Sequence, residues 1–348
     1  MASQVSANFA KPPKRGGGWR LTVFVLVALC AAAGAHAALS AKSYVSEGLI
    51  AQWDGLENVS YGGAHDNLTN KWIELTGNGP NLALPSGAAF VDAGLQTIRA
   101  NGTVVSATNA KKILGAFASA NYTAEIAFNK TTATPNSSQG YVNKVCAMLV
   151  FGGDSYWMGT FNDNQAGMNP NSGGNLYNLL ANNYASPSTT VGRHSLSCSQ
   201  ADTLRTTHFD GDDSLTKTAT ATPVAAPSTT RGFCFNRAGY YTDHGLDGVY
   251  HSIRIYDRAL SADEVAVNCA VDKVRYFDVD ASTLSLPSGW RFDTADGVKL
   301  ERLLSVSVKN GVGGTISLND GADADEGFVW CEQGASVSVK LVATPEAG

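Results

Sequence analysis

Apolar and polar residues alternate with a period of two along much of this chain. Between Gly245 and Tyr256, Val249, His251, Ile253 and Ile255 fall on one face; Tyr250, Ser252, Arg254 and Tyr256 fall on the other. With β-branched and aromatic residues at these positions, the spacing predicts a strand. Ala120–Phe128 repeats the pattern through Tyr122, Ala124, Ile126 and Phe128, and Leu49, Ala51 and Trp53 do so earlier. Val145–Phe151 is almost continuously apolar, as expected of a central strand buried on both faces. Further strands are predicted at Trp72–Leu75, Thr103–Val105, Tyr156–Phe161, Arg193–Ser199, Thr203–Phe209, Leu215–Ala221 and Gly232–Asn236. Turn signals separate them, among them Asn101-Gly102 and Asp210-Gly211-Asp212-Asp213.

The period changes once. Ser261 precedes Val267, Val271 and Val274 at helical spacing, and Glu264 stands three residues after the serine. Ser261 accepts from a first-turn N–H while Glu264 bonds back to the serine N–H, so S-x-x-E reads as a capping box opening a short helix. Many short strands with one helix describe an antiparallel sandwich rather than alternating β and α units. After Phe277 the character shifts. Residues 278–300, with Pro287 and Gly289, read as a linker. Residues 301–348 read as a small β module, with a hairpin over Leu303–Leu318 and strands at Phe328–Cys331 and Ser336–Val342.

The segment S-I-R-I-Y-D-R-A-L-S-A-D-E-V, Ser252–Val265, followed by Asn268, resembles the C-terminal end of a laminin G-like domain of bacterial type. Gly48–Asp54 and Trp72–Gly77 are similar to that family's first two strands. The resemblance spans roughly Val45 to Phe277 and implies an all-β, concanavalin A-like jelly-roll sandwich with one short C-terminal helix. It further implies that Leu49–Trp53 lies beside Val249–Tyr256. Ser336–Gly348 is similar to the start of a repeat module of the internalin B type.

Charge and export narrow the function classes. The first 37 residues hold Lys11, Lys14, Arg15 and Arg20 and no acid; Leu21–Ala33 is an apolar run, and Ala35-His36-Ala37 follows as a cleavage site. This reads as a secretory signal peptide, too short for a membrane span. Its removal takes the net charge from −5 to −9, with 21 basic residues against 30 acidic ones. A chain so acidic offers no basic stripe to a phosphate backbone, so no nucleic-acid partner is expected. Cys146, Cys198, Cys234, Cys269 and Cys331 remain, an odd number with no C-x-x-C spacing. If a disulfide forms, Cys198–Cys234 is the expected pair, each cysteine lying in a predicted strand; Cys146 with Cys269 is the alternative.

Two clusters are candidate sites. Trp157, Tyr177, Tyr184, Tyr240 and Tyr241 sit in or beside Asn-rich loops with Asn162 and Asn164. Flat apolar rings beside amides suit a carbohydrate or another extracellular matrix polymer, although aromatics also pack beneath loops for structural reasons alone. Asp154, Asp210, Asp212 and Asp213 are the candidate donors for Ca2+, which takes about six to eight oxygens. Asp-rich turns also arise because Asp bonds its own backbone. The acid that relatives carry two to three positions after the glycine is absent, since Val249, Tyr250 and His251 follow Gly248. No paired carboxylates alternate on one strand as jelly-roll glycosidases require, and neither G-x-S-x-G nor H-E-x-x-H occurs. The expectation is a non-catalytic binding module. The alternative is a spacer or adhesin unit of a larger surface protein. Six N-x-S/T sequons, including Asn58 and Asn121, follow from an Asn-, Ser- and Thr-rich composition.

Overall fold

The Gly248–Tyr256 strand lies at the middle of the larger of two sheets. The computed structural model describes residues 3–6, 39–58, 60–61, 70–91, 93–99, 102–106, 108–132, 145–151, 156–161, 164–170, 184–220, 232–236, 244–307, 314–318, 326–333 and 339–343. The chain divides into two compact units, Val45–Val279 and a second that joins Met1–Tyr44 to Asp280–Gly348.

In the first unit the elements are β1 (Leu49–Asp54), β2 (Lys71–Trp72), β3 (Leu82–Ala83), β4 (Ala89–Val91), β5 (Gly94–Thr97), β6 (Thr103–Val105), α1 (Lys111–Ala118), β7 (Asn121–Lys130), β8 (Val145–Phe151) and β9 (Tyr156–Phe161). They continue as β10 (Gln165–Pro170), β11 (Tyr184–Ala185), β12 (Gly192–Ala201), β13 (Leu204–Phe209), β14 (Asp212–Thr220), β15 (Phe233–Phe235), β16 (Gly248–Tyr256) and α2 (Ala262–Tyr276). An eight-stranded sheet runs β14-β13-β12-β7-β16-β5-β4, with β1 also on β16; a six-stranded sheet runs β11-β10-β9-β8-β15-β6. Every pairing in both is antiparallel. The all-β sandwich is therefore the observed fold class. The expected adjacency of first and last strands is present, with Ile253 opposite Trp53 and Ile255 opposite Ala51.

Between the sheets, Tyr122, Ala124, Ile126 and Phe128 of β7 meet Leu149, Phe151, Met158 and Met168 of the smaller sheet and Phe233 and Phe235 of β15. Trp53 stacks on Phe233 at 5.8 Å. Helix α1 was not expected from the sequence. It has no side-chain cap, only eight residues and a glycine in its interior. Tertiary packing holds it: Phe117 lies 3.9 Å from the Tyr122 ring and 4.0 Å from Phe151.

A bulge corrects the predicted faces of β16. Tyr250 pairs with Phe128 and Ser252 with Ala127, so His251 is the extra residue. The bulge shifts the alternation by one position. Tyr250 consequently joins Ile253 and Ile255 in the core. His251 turns to the other side, where it stacks on Tyr276 at 5.1 Å. A second bulge interrupts β8 and β9 at Gly159, where a Cβ would meet the Cys146 carbonyl oxygen at 2.0 Å. Only glycine fits there.

In the second unit, β17 (Trp290–Asp293), β18 (Lys299–Ser307) and β20 (Glu326–Glu332) form one sheet, with Ser3–Ser6 parallel to β18. Strand β17 lies inside the span expected to be a linker. The hairpin expected over Leu303–Leu318 is also replaced: β19 (Gly314–Leu318) pairs with β21 (Val339–Ala343), not with β18. Within this unit the guanidinium groups of Arg302 and Arg291 lie over Trp290 and Trp330, at 5.1 and 4.5 Å.

Candidate functional site

Each sheet of the sandwich has an outer face, and the two are chemically unlike. On the smaller sheet Met158 and Met168 sit opposite one another and enter the core. By alternation, the intervening positions occupy the outer face. Val104, Cys234, Val150, Trp157 and Asn169 form one row across five strands. Gly159, Gly167 and Tyr184 form a second, and Val145, Phe161 and Gln165 a third. None of these positions carries Asp, Glu, Lys or Arg. Val104 is 45% exposed at the sheet edge. Trp157 is only 2% exposed, so its ring is packed rather than open, and its indole N–H is buried without a hydrogen-bond partner. Gln165 Oε1 is likewise unpartnered.

Of the expected ligand residues, the structure brings Trp157 and Tyr184 onto this sheet, separated by one strand. Asn164 is exposed beside them, immediately before β10. Asn162, Tyr177, Tyr240 and Tyr241 lie outside the described residues. Gln165, Gly167 and Asn169 were not anticipated. G-M-N-P reads as loop composition, whereas Gln165–Pro170 is a strand.

Among the described residues, the Asp210 and Asp212 carboxylates of the acidic turn are engaged within the turn. Asp210 and Gly211 adopt positive φ, 57° and 64°, to close the β13–β14 hairpin. Both Asp210 carboxylate oxygens are engaged: Oδ2 lies 2.8 Å from His194 Nδ1, and Oδ1 accepts from the Ser195 N–H at 2.8 Å. Asp212 accepts from the Ser214 hydroxyl and N–H, which hold its carboxyl below the ordinary range. No three His, Cys, Asp or Glu side chains gather in a metal-binding group among the described residues. Asp213 joins no such group, and Asp154 lies outside the described residues. The carboxylates of Asp210 and Asp212 thus serve the turn itself.

The expected Cys198–Cys234 disulfide is also corrected: both cysteines are buried and neither is in a disulfide. Cys198 faces the core from the eight-stranded sheet, 3.8 Å from Thr207 Oγ1, and burial pushes its thiol up to about 12. Cys234 belongs to the other sheet, on the outward side of a strand whose Phe233 and Phe235 enter the core. Sheets stack about 10 Å apart, beyond the Cα separation a disulfide tolerates. Cys146 and Cys269 are free as well.

On the larger sheet the outer face carries Arg254, Glu125, Ser197 and His208 in one row across four strands. Helix α2 covers it. Arg254 forks onto Asp272 through two bonds of 2.8 Å and donates through Nε to Glu125 Oε2 at 2.9 Å. Asn268 donates to the same Glu125 oxygen at 2.8 Å and accepts from the Val45 N–H at 2.9 Å. A second cluster follows along the helix. Arg275 and the Tyr276 hydroxyl both reach Asp54. Burial alone would raise the Asp54 pKa, but the charge and hydrogen bonds of Arg275 hold it below the ordinary value.

The segment resembling a laminin G-like end is thus a structural kit. Ser261 and Glu264 close the capping box, with Ser261 N donating to Glu264 Oε2 at 2.9 Å. Arg258 forks onto that glutamate through two bonds of 2.8 Å. Asn58, one of the sequon asparagines, is fully buried.

No family model and no curated protein matches the chain. Solved structures do. Domain 4 of AbnA, a GH43 extracellular arabinanase from Geobacillus stearothermophilus in complex with arabinotriose, matches at 11% identity and a TM-score of 0.41, over 64% of this chain and 98% of that one. Trypanosoma rangeli sialidase in complex with the inhibitor DANA matches at 14% identity and 0.44, over 65% of this chain and 33% of the sialidase. The Ruminococcus gnavus IT-sialidase CBM40 bound to alpha2,3 sialyllactose matches at 13% and 0.33, over 47% of this chain and 94% of the module. Similarity at this level transfers no site and no activity. Among the described residues, no helix is long and apolar enough to cross a membrane.

Proposed function

We propose that this chain is a non-catalytic, extracellular carbohydrate-binding module of laminin G-like type, exported through its N-terminal signal peptide, with the outer face of the six-stranded sheet as its binding face. The observation that carries this reading is the uncharged register on that face, with Trp157, Phe161 and Gln165 on two neighbouring strands. Sugar hydroxyls both donate and accept. The buried indole N–H of Trp157 and amide oxygen of Gln165 have no partner within the protein, one donor and one acceptor of the kinds such hydroxyls would pair with. The arrangement of carboxylates supports a non-catalytic role. Glu125 and Asp272 are bound to Arg254 beneath a helix, and Asp54 and Glu57 are bound to Arg275.

The test is calorimetric titration of the full chain with soluble neutral polysaccharides, including an arabinan, and with sialyllactose. Binding to a neutral polymer that weakens about tenfold in Trp157→Phe, which removes one hydrogen-bond donor, supports the reading. No binding by a folded chain to any of them overturns it. The second reading, a spacer or adhesin unit, draws on the separate second unit and the repeat-like Ser336–Gly348 segment. It gains from that same negative result.

A further inference from the structure

The cluster under α2 contains one cation and two acids, and its hydrogen bonds are divided unequally. Asp272 receives both forks of Arg254 at 2.8 Å, the Ser195 hydroxyl at 2.9 Å and the Ser252 hydroxyl at 3.3 Å. Glu125 receives Arg254 Nε and the Asn268 amide, both on Oε2. Its Oε1 is buried with no partner. Directly across the register the Ser197 hydroxyl is also buried with no partner. Both residues line one small cavity of about 10 Å³, together with His208, Cys269, Arg254 and Asp272. A full carboxylate at Glu125 would leave a bare anionic oxygen in low dielectric and give the cluster a net negative charge. A carboxylic acid there leaves Arg254–Asp272 as a neutral pair and removes the bare anionic oxygen from the low-dielectric cavity.

We propose that Glu125 is the protonated member of this cluster, and that its ionisation is a latch that loosens α2 from the sheet as pH rises. The titratable or charged groups facing it are Arg254 and Tyr256 from β16, His208 from β13, and Asp272 and Cys269 from α2. Arg254 and the Asn268 amide favour the anion, and Asp272 already neutralises Arg254. The direction of the Glu125 shift agrees: burial, the largest influence, raises its pKa, Arg254 opposes this, and Asp272 adds to it.

The sign of the effect follows from linkage. A carboxyl whose folded pKa is raised contributes stability that is complete below its unfolded value, near 4.5, and is lost as pH rises through the folded pKa. Two measurements on the full chain test this. Carboxyl 13C chemical shifts of the wild type give the Glu125 titration directly, and a midpoint above the ordinary glutamate range is expected. Amide hydrogen exchange across Val265–Val271, corrected for intrinsic rate, reads the latch. Protection should fall by about tenfold for each unit by which the midpoint is raised, and Glu125→Gln should abolish that fall. A Glu125 midpoint at or below 4.5 overturns the proposal, as does the same pH-dependent loss of protection in Glu125→Gln. The wild-type titration decides by itself if the variant does not fold.

Discussion

Across the larger sheet, the row Arg254–Glu125–Ser197–His208 places charge in the protein interior and seals it beneath a helix. Across the smaller sheet, the row Val104–Cys234–Val150–Trp157–Asn169 contains no charge. Both faces are built on period-two strands, and both retain buried polar atoms without partners. They differ in what a missing partner costs. On the helix side, an unpaired charge would be lethal to the packing, so the network is closed around Arg254 and the residual acid is neutralised. On the other side only neutral dipoles are unmatched, at a cost of about 1–3 kcal/mol each, which a ligand's hydroxyls can offset.

This contrast can be broken first at Arg254. Arg254→Met leaves Asp272 and Glu125 without their cation and should cost about 3–5 kcal/mol in urea denaturation. A loss near zero would mean the helix side is no more dependent on charge than its opposite.

Asp54→Asn should cost somewhat less, on the order of 3 kcal/mol at neutral pH, because Arg275 keeps Glu57 as a partner. It should also flatten the acid limb of stability. The Asp54 pKa is lowered in the folded state, so its contribution is present above about 3.8 and lost as pH falls through the folded value. An unchanged acid limb in the variant would remove Asp54 from the account.

On the uncharged face, Trp157→Phe should cost roughly 1–2 kcal/mol of stability through lost volume. Its stability should depend on pH as the wild type's does, since no charge is disturbed; thermal scans at several pH values check this.

Ser261→Ala removes the helix cap and should cost about 1 kcal/mol, read as a small fall in the thermal midpoint. The smallest expected effect is none at all. Dithiothreitol should leave that midpoint unchanged, because none of the five described cysteines is in a disulfide. A drop on reduction would show a bridge and reopen the pairing of Cys198 or Cys234.

Elements that carry their own local signal were legible in advance. The capping box at Ser261, the apolar run at Val145–Phe151 and the alternation in Ala120–Phe128 each depend on neighbours within a few residues, and each appears where expected. Helix α1 was missed because it has no cap of its own and is held by Phe117 packing between Tyr122 on the next strand and Phe151, more than thirty residues away. The second-unit hairpin failed because β19 finds its partner some twenty residues later. The disulfide expectation required knowing which strands share a sheet, and no spacing encodes that.

The sequence by itself therefore determined the β-rich class, the capped helix and the pairing of first and last strands, through periodicity, caps and family likeness. The tertiary structure alone decided the face of Tyr250, because one bulged histidine inverts the alternation of a strand. It also decided the roles of Arg254, Glu125, Asp272 and Asn268. Glu125 lies well over a hundred residues from the other three, and only burial in one low-dielectric layer makes their charges depend on each other.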